Sequence, residues 1–172
     1  MSKGVVIVTG SSRGIGRACA LLAAERGYDV VVNYTANAAA AQEVVAGINA
    51  CGAQAIAVKG DIAEEADILG PLVGLINNAG VVSLSGRVET YTADRLHRLL
   101  NINVVGTILC SREAVKRMST KHGGKGGAIV NISSVAAVLG SPNEYVDYAA
   151  SKGAVDSFTI GLAKEVATEG IR

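Results

Sequence analysis

Three observations in the sequence predict a doubly wound α/β domain, a parallel sheet with helices on both faces. Short β-branched runs such as Val5-Val6-Ile7-Val8 alternate with alanine- and leucine-rich helical stretches, the mark of repeated strand-helix units. The first run opens directly into the glycine-rich turn Thr9-Gly10-Ser11-Ser12-Arg13-Gly14-Ile15-Gly16, with a helical stretch behind it. The residues of chemical interest, Gly10 to Gly16, Asp61, Asn77 to Gly80 and Ser133-Ser134, each follow the end of a run. In an open parallel sheet those positions share one edge, and ligands bind there, outside the carboxyl ends of the strands.

Composition narrows the class. With 172 residues, 49% hydrophobic and 18% charged, the chain is read as one folded domain, residues 1–172. A net charge of +1, one Phe and no Trp argue against a nucleic-acid partner. No apolar run approaches the roughly 18 residues that span a bilayer, and Val5 to Val8 is too short for a signal-peptide core. Cys19, Cys51 and Cys110 lack metal-ligand spacing. They are read as small apolar residues in a reducing cytoplasm, and no metal site is expected.

Taken in order, Val5 to Val8 is a strand buried on both faces. Strand, glycine turn and the helix Arg17 to Arg26 make a site where backbone amides and a helix N-terminus meet a diphosphate. Glycine is expected at Gly10 and Gly14 so that no side chain holds the cofactor off the backbone. Val30 to Asn33 is the second strand, and Asn33, Tyr34 and Thr35 occupy the loop that meets the adenosine ribose. NAD-preferring sites usually place an acid there, and none is present. Arg13 could meet a 2′-phosphate instead, which favours NADP over NAD, although an arginine here can equally be a solvated surface residue. Asn37 to Ala50 reads as a helix and Gln54 to Val58 as the third strand. Asp61, followed by Ile62, either meets an adenine edge or caps the next helix. Leu72 to Ile76 is a fourth strand that delivers Asn77-Asn78-Ala79-Gly80. Thr92 to Lys121 reads as one long helix with an irregularity around Asn103 to Gly106, and Gly123 to Gly127 breaks it. His97 and His122 show no partner pattern. Ala128 to Ile132 is a fifth buried strand, Gly140 to Asn143 a loop, and the last helix runs to Thr168.

That last helix carries Tyr148 and Lys152, four residues apart and therefore neighbours on one helix face. A phenol beside an ammonium ionises more readily. Bringing a free tyrosine from near ~10 to physiological pH takes about 4 kcal/mol. A unit charge at ~4 Å in an effective dielectric of ~20 supplies about that much.

Together these residues resemble the short-chain dehydrogenase/reductase family. Thr9, Gly10, Gly14 and Gly16 match its glycine motif, Asn77 to Gly80 its Asn-Asn-Ala-Gly, and Tyr148 with Lys152 its Tyr-x-x-x-Lys. The glycine spacing is that of the compact single-domain reductases, and the texture is similar to 3-oxoacyl-carrier-protein reductases and glucose-dehydrogenase-like members. The resemblance implies a Rossmann-like sheet of strand order 3-2-1-4-5, with the family's sixth and seventh strands not in this chain. It implies hydride transfer between a nicotinamide and a small carbonyl or alcohol, in a homotetramer or homodimer paired through Asn103 to Met118 and Tyr148 to Val166. Tyr148 would be the general acid or base, and Lys152 would tune it and hold the nicotinamide ribose. Asn103 would position a water behind the lysine. Ser134, one residue further from the tyrosine than is usual, would bond the substrate oxygen; Tyr145, Ser141 and Ser151 lack the right spacing. The cofactor set is then Gly10, Ser12, Arg13, Gly14, Ile15, Gly16, Asn33, Tyr34, Asp61, Ile62, Asn77, Ala79, Gly80, Tyr148 and Lys152.

Two departures from the family stand out. Between Asp61 and Leu75 there is barely room for a crossover, which needs ~10–12 residues or more, and the chain stops at Arg172, where the family continues. The expectation is that segments are missing between Ile62 and Leu72 and after Arg172. A chain truly this short leaves open a dinucleotide-binding protein without turnover.

Overall fold

The computed structural model describes residues 2–60 and 70–172. Asp61, Ile62 and the short crossover before Leu72 lie outside the described residues. Five strands form one parallel sheet: β1 (Val5–Val8), β2 (Asp29–Tyr34), β3 (Ala55–Lys59), β4 (Leu72–Asn77) and β5 (Ala128–Asn131). Their order is β3-β2-β1-β4-β5, the Rossmann-like order expected. Val5 to Val8 pair in unbroken register with Asp29 to Val32. Against β4 the register slips once, so that Val6 faces Gly74. Glycine suits that position, because a Cβ there would come to 3.1 Å from Val6 Cγ2.

Alternation along β1 divides its side chains between two cores. Val5 and Ile7 join Val31, Leu75 and Met118 on one face. Val6 and Val8 join Ala20, Ala24, Val44 and Ile48 on the other. The first face is covered by α4 (Gly106–Met118), the second by α1 (Gly14–Glu25) and α2 (Ala38–Ala50). Strands covered on both sides need no polar residues in their interior, which is why the runs read as continuously apolar. Asn37 starts α2 by accepting the Ala40 N–H at 2.9 Å, leaving Ala41, Val44 and Ile48 as its buried stripe.

The stretch expected as one long helix is three pieces. α3 (Ala93–Leu100) is capped by Thr92, a π-helical turn spans Asn101–Val105, and α4 follows. The β-branched residues Ile102, Val104 and Val105 are weak helix formers, and the wider turn aims Asn103 inward, to 1% exposure. Such turns recur at functional sites. After β5 come a one-turn helix, α5 (Ala136–Leu139), and the long α6 (Val146–Glu165). α6 ends three residues before the expected Thr168, where the chain tightens at Ala167–Glu169 and turns at Gly170 with φ +74°. β5 is not the fully buried strand expected. It is the sheet's edge among the described residues, and Val130 keeps 47% of its surface exposed.

Candidate active site

The parallel strands bring the ends of β1, β4 and β5 together, and hydrogen bonds lace the first two. Thr9 Oγ1 accepts the N–H groups of Asn78 and Ala79, each at 2.9 Å. Asn78 Nδ2 donates back to the carbonyls of Thr9 (2.9 Å) and Gly10 (3.2 Å). The glycines of the loop then prove to have different tasks. Gly10, at φ +62°, packs on β4's end, with a Cβ position 3.1 Å from Ala79 Cα. This contact and the left-handed backbone already require glycine here, before any ligand is considered. A Cβ on Gly16 would lie 2.5 Å from Asn78 Nδ2 and 2.7 Å from Gly10 O. Only Gly14, at φ +57°, faces open space with nothing within 4 Å. Arg13 directly precedes α1 with extended backbone; it is exposed and makes no ion pair among the described residues. Ser12 stands beside it, and Ile15 projects with 63% exposure.

Asn33 is 5% exposed, and its side chain is engaged by the protein. Its Oδ1 accepts the Gly10 N–H at 3.3 Å, and its Nδ2 donates to Gly60 O at 2.7 Å. It braces the glycine loop against the ends of β2 and β3, leaving Tyr34 and Thr35 as the less buried residues of that loop. Asn77 likewise turns inward, at 4% exposure. Its amide donates to Ser111 Oγ (2.9 Å) and Asn131 Oδ1 (2.8 Å) under the sheet, while its own Oδ1 has no partner.

Tyr148, Lys152 and Ser134 line one cleft of about 640 Å3, together with Ile15, Gly80, Val81, Val82, Leu139 and Tyr145. Lys152 is 5% exposed, and its ammonium donates to Ile132 O at 2.6 Å. Its Nζ lies 5.8 Å from the Tyr148 ring centroid, so the ammonium and the aromatic ring are neighbours, as helical spacing implies. Burial pushes the Lys152 pKa down, and Asp156 offsets this in part. Asn103 sits behind the cleft. Its Oδ1 accepts the Val81 N–H at 2.8 Å, and its Nδ2 donates to Val81 O (2.9 Å) and Ser151 Oγ (3.1 Å). Gly80 passes between, where a Cβ would be 3.4 Å from Asn103 Oδ1 and 3.7 Å from Lys152 Nζ. Of the two candidate serines, Ser134 Oγ accepts the Ala136 N–H at 3.2 Å, whereas Ser133 Oγ is buried without a protein partner.

A dinucleotide loop alone fits many folds; coverage of the whole chain decides between them. Residues 4–172 match the short chain dehydrogenase family. The chain is a short-chain dehydrogenase. It is 54% identical to the uncharacterized oxidoreductase YgfF of Escherichia coli, over 98% of this chain and 72% of that protein. It is 39% identical to a 3-oxoacyl-acyl-carrier-protein reductase of Synechocystis sp., over 97% of this chain and 70% of that one. Among solved structures, acetoin dehydrogenase from Enterobacter cloacae superposes with a TM-score of 0.89 at 31% identity, covering 99% of this chain and 70% of that chain. Short-chain dehydrogenases use NAD(P) and act on small molecules, and no helix among the described residues is long and apolar enough to cross a membrane.

Around this short-chain dehydrogenase's cleft, several residues carry weight that the sequence did not announce. Thr9, already part of the glycine motif, ties it to Asn78 and Ala79 through a hydroxyl whose role its motif position does not reveal, and Ser151 supports Asn103. Arg95 and Asp147 form a buried ion pair beside Tyr148, with Arg95 Nε 2.7 Å from Asp147 Oδ2. Asp147 alone carried a local signal, as an acid in the first turn of a helix.

Proposed function

We propose that this short-chain dehydrogenase interconverts a carbonyl compound and a secondary alcohol with NADP. The supporting observation is that Tyr148, Lys152 and Ser134 share one cleft with Ile15 of the glycine loop. The loop fits a diphosphate: Gly14 leaves its outer face open, and the twelve-residue α1 points its N-terminus there. When bound, the nicotinamide supplies or accepts the hydride.

The protein's own residues handle the proton and the developing charge. Tyr148 gives a proton to the carbonyl oxygen in reduction and removes it in oxidation. Lys152 places a positive charge beside that ring and would hold the nicotinamide ribose hydroxyls. Ser134 already accepts one backbone N–H, so its own O–H remains to stabilise the substrate oxygen. Asn103 holds Val81 in place through both its side-chain atoms, and its role would be to position a water on the lysine side. The NADP preference rests on exposed Arg13 and on the absence of a carboxylate at positions 33–36. Self-association through α4 and α6 is supported by Val105, Ile108, Leu109 and Ile160, each at least 39% exposed.

The test is a fluorescence titration with NADPH and NADH, followed by turnover of a ketone panel. NADPH should bind more tightly and support reduction; tighter NADH binding would overturn the cofactor choice. Binding without turnover of any carbonyl or alcohol would favour a non-catalytic protein.

A further inference from the structure

Arg95 is eight residues before Asn103 and fifty-two before Asp147, outside every motif of the site. Its guanidinium nevertheless meets three separate segments. Nε and Nη2 donate to Asp147 Oδ2 (2.7 Å) and Oδ1 (3.1 Å) on the first turn of α6. Nη1 donates to Leu84 O at 2.7 Å, in the loop that runs out from the cleft wall at Val81 and Val82. Its plane lies over the Tyr91 ring, 4.0 Å from the centroid. Tyr91 extends the web, because its hydroxyl donates to Gly86 O (3.1 Å) and accepts the Val146 N–H (3.2 Å). Gly86 N–H in turn donates to Glu144 O at 3.0 Å. Asp147 closes the circuit: its Oδ1 accepts the N–H of Tyr148 itself, at 2.9 Å.

The pair is well shielded, with Asp147's side chain 2% and Arg95's 16% exposed. A buried ion pair is poor evidence of stabilisation, since apolar residues of similar volume often serve as well. What apolar residues cannot do is bond the Tyr148 amide and the Leu84 carbonyl at once. The pair does both: Asp147 accepts the Tyr148 N–H, while the planar fork of Arg95 donates to both carboxylate oxygens and to Leu84 O, a bidentate geometry that a lysine does not reproduce. We infer that Arg95 is a positioning residue, which through Asp147 fixes the start of α6, and with it Tyr148, against the loop that walls the substrate cleft. This inference rests on the reading of Tyr148 as the proton-transfer group. Arg95 touches neither the reacting atoms nor the glycine loop, so its loss should fall on kcat and not on dinucleotide binding.

The experiment compares wild type with Tyr148→Phe, Arg95→Lys, Arg95→Met and the double variant Arg95→Met/Asp147→Leu. Melting temperature, NADPH dissociation constant, kcat, KM and the pH profile of kcat/KM are measured for each. Arg95→Met leaves a buried carboxylate unpaired and should melt early; the double variant removes that carboxylate and should recover most of the melting temperature. The positioning role predicts that the double variant still turns over about 10–100-fold more slowly, as expected for a small misplacement of a reacting group. Its NADPH affinity should stay within about twofold of wild type, and the inflection of its pH profile should shift. Arg95→Lys should recover part of kcat. A double variant that regains both melting temperature and full kcat, with an unchanged pH profile, would show Arg95 to be structural and overturn the inference. Full activity of Tyr148→Phe would instead overturn the reading of the site, and the positioning role with it; the two failures are told apart by that one variant.

Discussion

Gly14 and Gly16 stand two residues apart in one motif, and alanine at each should fail in a different way. At Gly16 the added methyl would lie 2.5 Å from Asn78 Nδ2, 2.7 Å from Gly10 O and 3.0 Å from Ser11 Cα. Two of these are backbone atoms of the loop, and the third makes both Asn78 bonds to Thr9 and Gly10. Overpacking costs about 1–3 kcal/mol and each weakened hydrogen bond about 1 kcal/mol. The lower chain entropy of alanine in the unfolded state returns about 0.4–1 kcal/mol. Gly16→Ala should therefore lose about 2–4 kcal/mol, a fall in Tm of roughly 4–16 °C for a chain of this size. At Gly14 the methyl meets no protein atom within 4 Å. The left-handed backbone, φ +57°, costs about 1–2 kcal/mol, offset only in part by the lower unfolded-chain entropy. Gly14→Ala should then melt within ~6 °C of wild type while its methyl occupies the face proposed for the diphosphate, raising the NADPH dissociation constant at least ~10-fold. Calorimetry and fluorescence titration on both variants check the pair. A Gly16→Ala protein as stable as wild type, or a Gly14→Ala protein that binds NADPH normally, would refute the division of labour.

Other outcomes follow from the same geometry. Burial raises the Asp147 pKa, but hydrogen bonds from Arg95 and from the Tyr148 N–H, with Arg95's charge, outweigh it and hold the carboxyl below its usual range. The stability this lends is complete above the unfolded value near ~3.9 and fades as pH falls through the lowered one, because the unfolded chain then binds more protons. The gap in unfolding free energy between wild type and Asp147→Asn should accordingly narrow on acidification below about pH 4, and a gap independent of pH would contradict it. Burial depresses the Lys152 pKa, so wild type should gain stability relative to Lys152→Met as pH rises from neutral towards ~10, as read by urea unfolding. Ser134→Ala should lower kcat about 10²–10³-fold with NADPH affinity unchanged, whereas Ser133→Ala should leave kcat within a few-fold in the same steady-state assay. Arg13→Ala should weaken NADPH about tenfold and NADH little, and equal losses for both would remove Arg13 from the 2′-phosphate.

Much of this was legible in the sequence because it is local. A strand, a glycine turn and a helix are contiguous, and strands of one direction must collect their terminal motifs on one edge. Tyr148 and Lys152 were placed by helical spacing alone. The harder residues depend on which way a side chain turns at a strand's end. Asn77 and Asn78 are adjacent, yet one enters the core below the sheet and the other laces the glycine loop. Asn33 looked like a ribose contact because it lies at the right distance along the chain; its amide is engaged by Gly10 and Gly60, which the pairing of β2 with β1 and with β3 brings near. Arg95 and Asp147 carried no shared signal, since the contact depends on how α3 and α6 pack. Exposure of β5 was misread for a related reason: an apolar run does not say whether its strand is central or at an edge.

The central claim is that Tyr148 moves the proton in a hydride-transfer reaction supported by NADP. Its most direct test supplies a reducible ketone and NADPH deuterated on the transferring face of the nicotinamide ring to wild type and to Tyr148→Phe. Deuterium should appear on the carbinol carbon with wild type, and at least ~10²-fold more slowly with Tyr148→Phe at near-equal NADPH affinity. Labelling at the wild-type rate without the phenol hydroxyl, or none in either protein with NADPH bound, would contradict it.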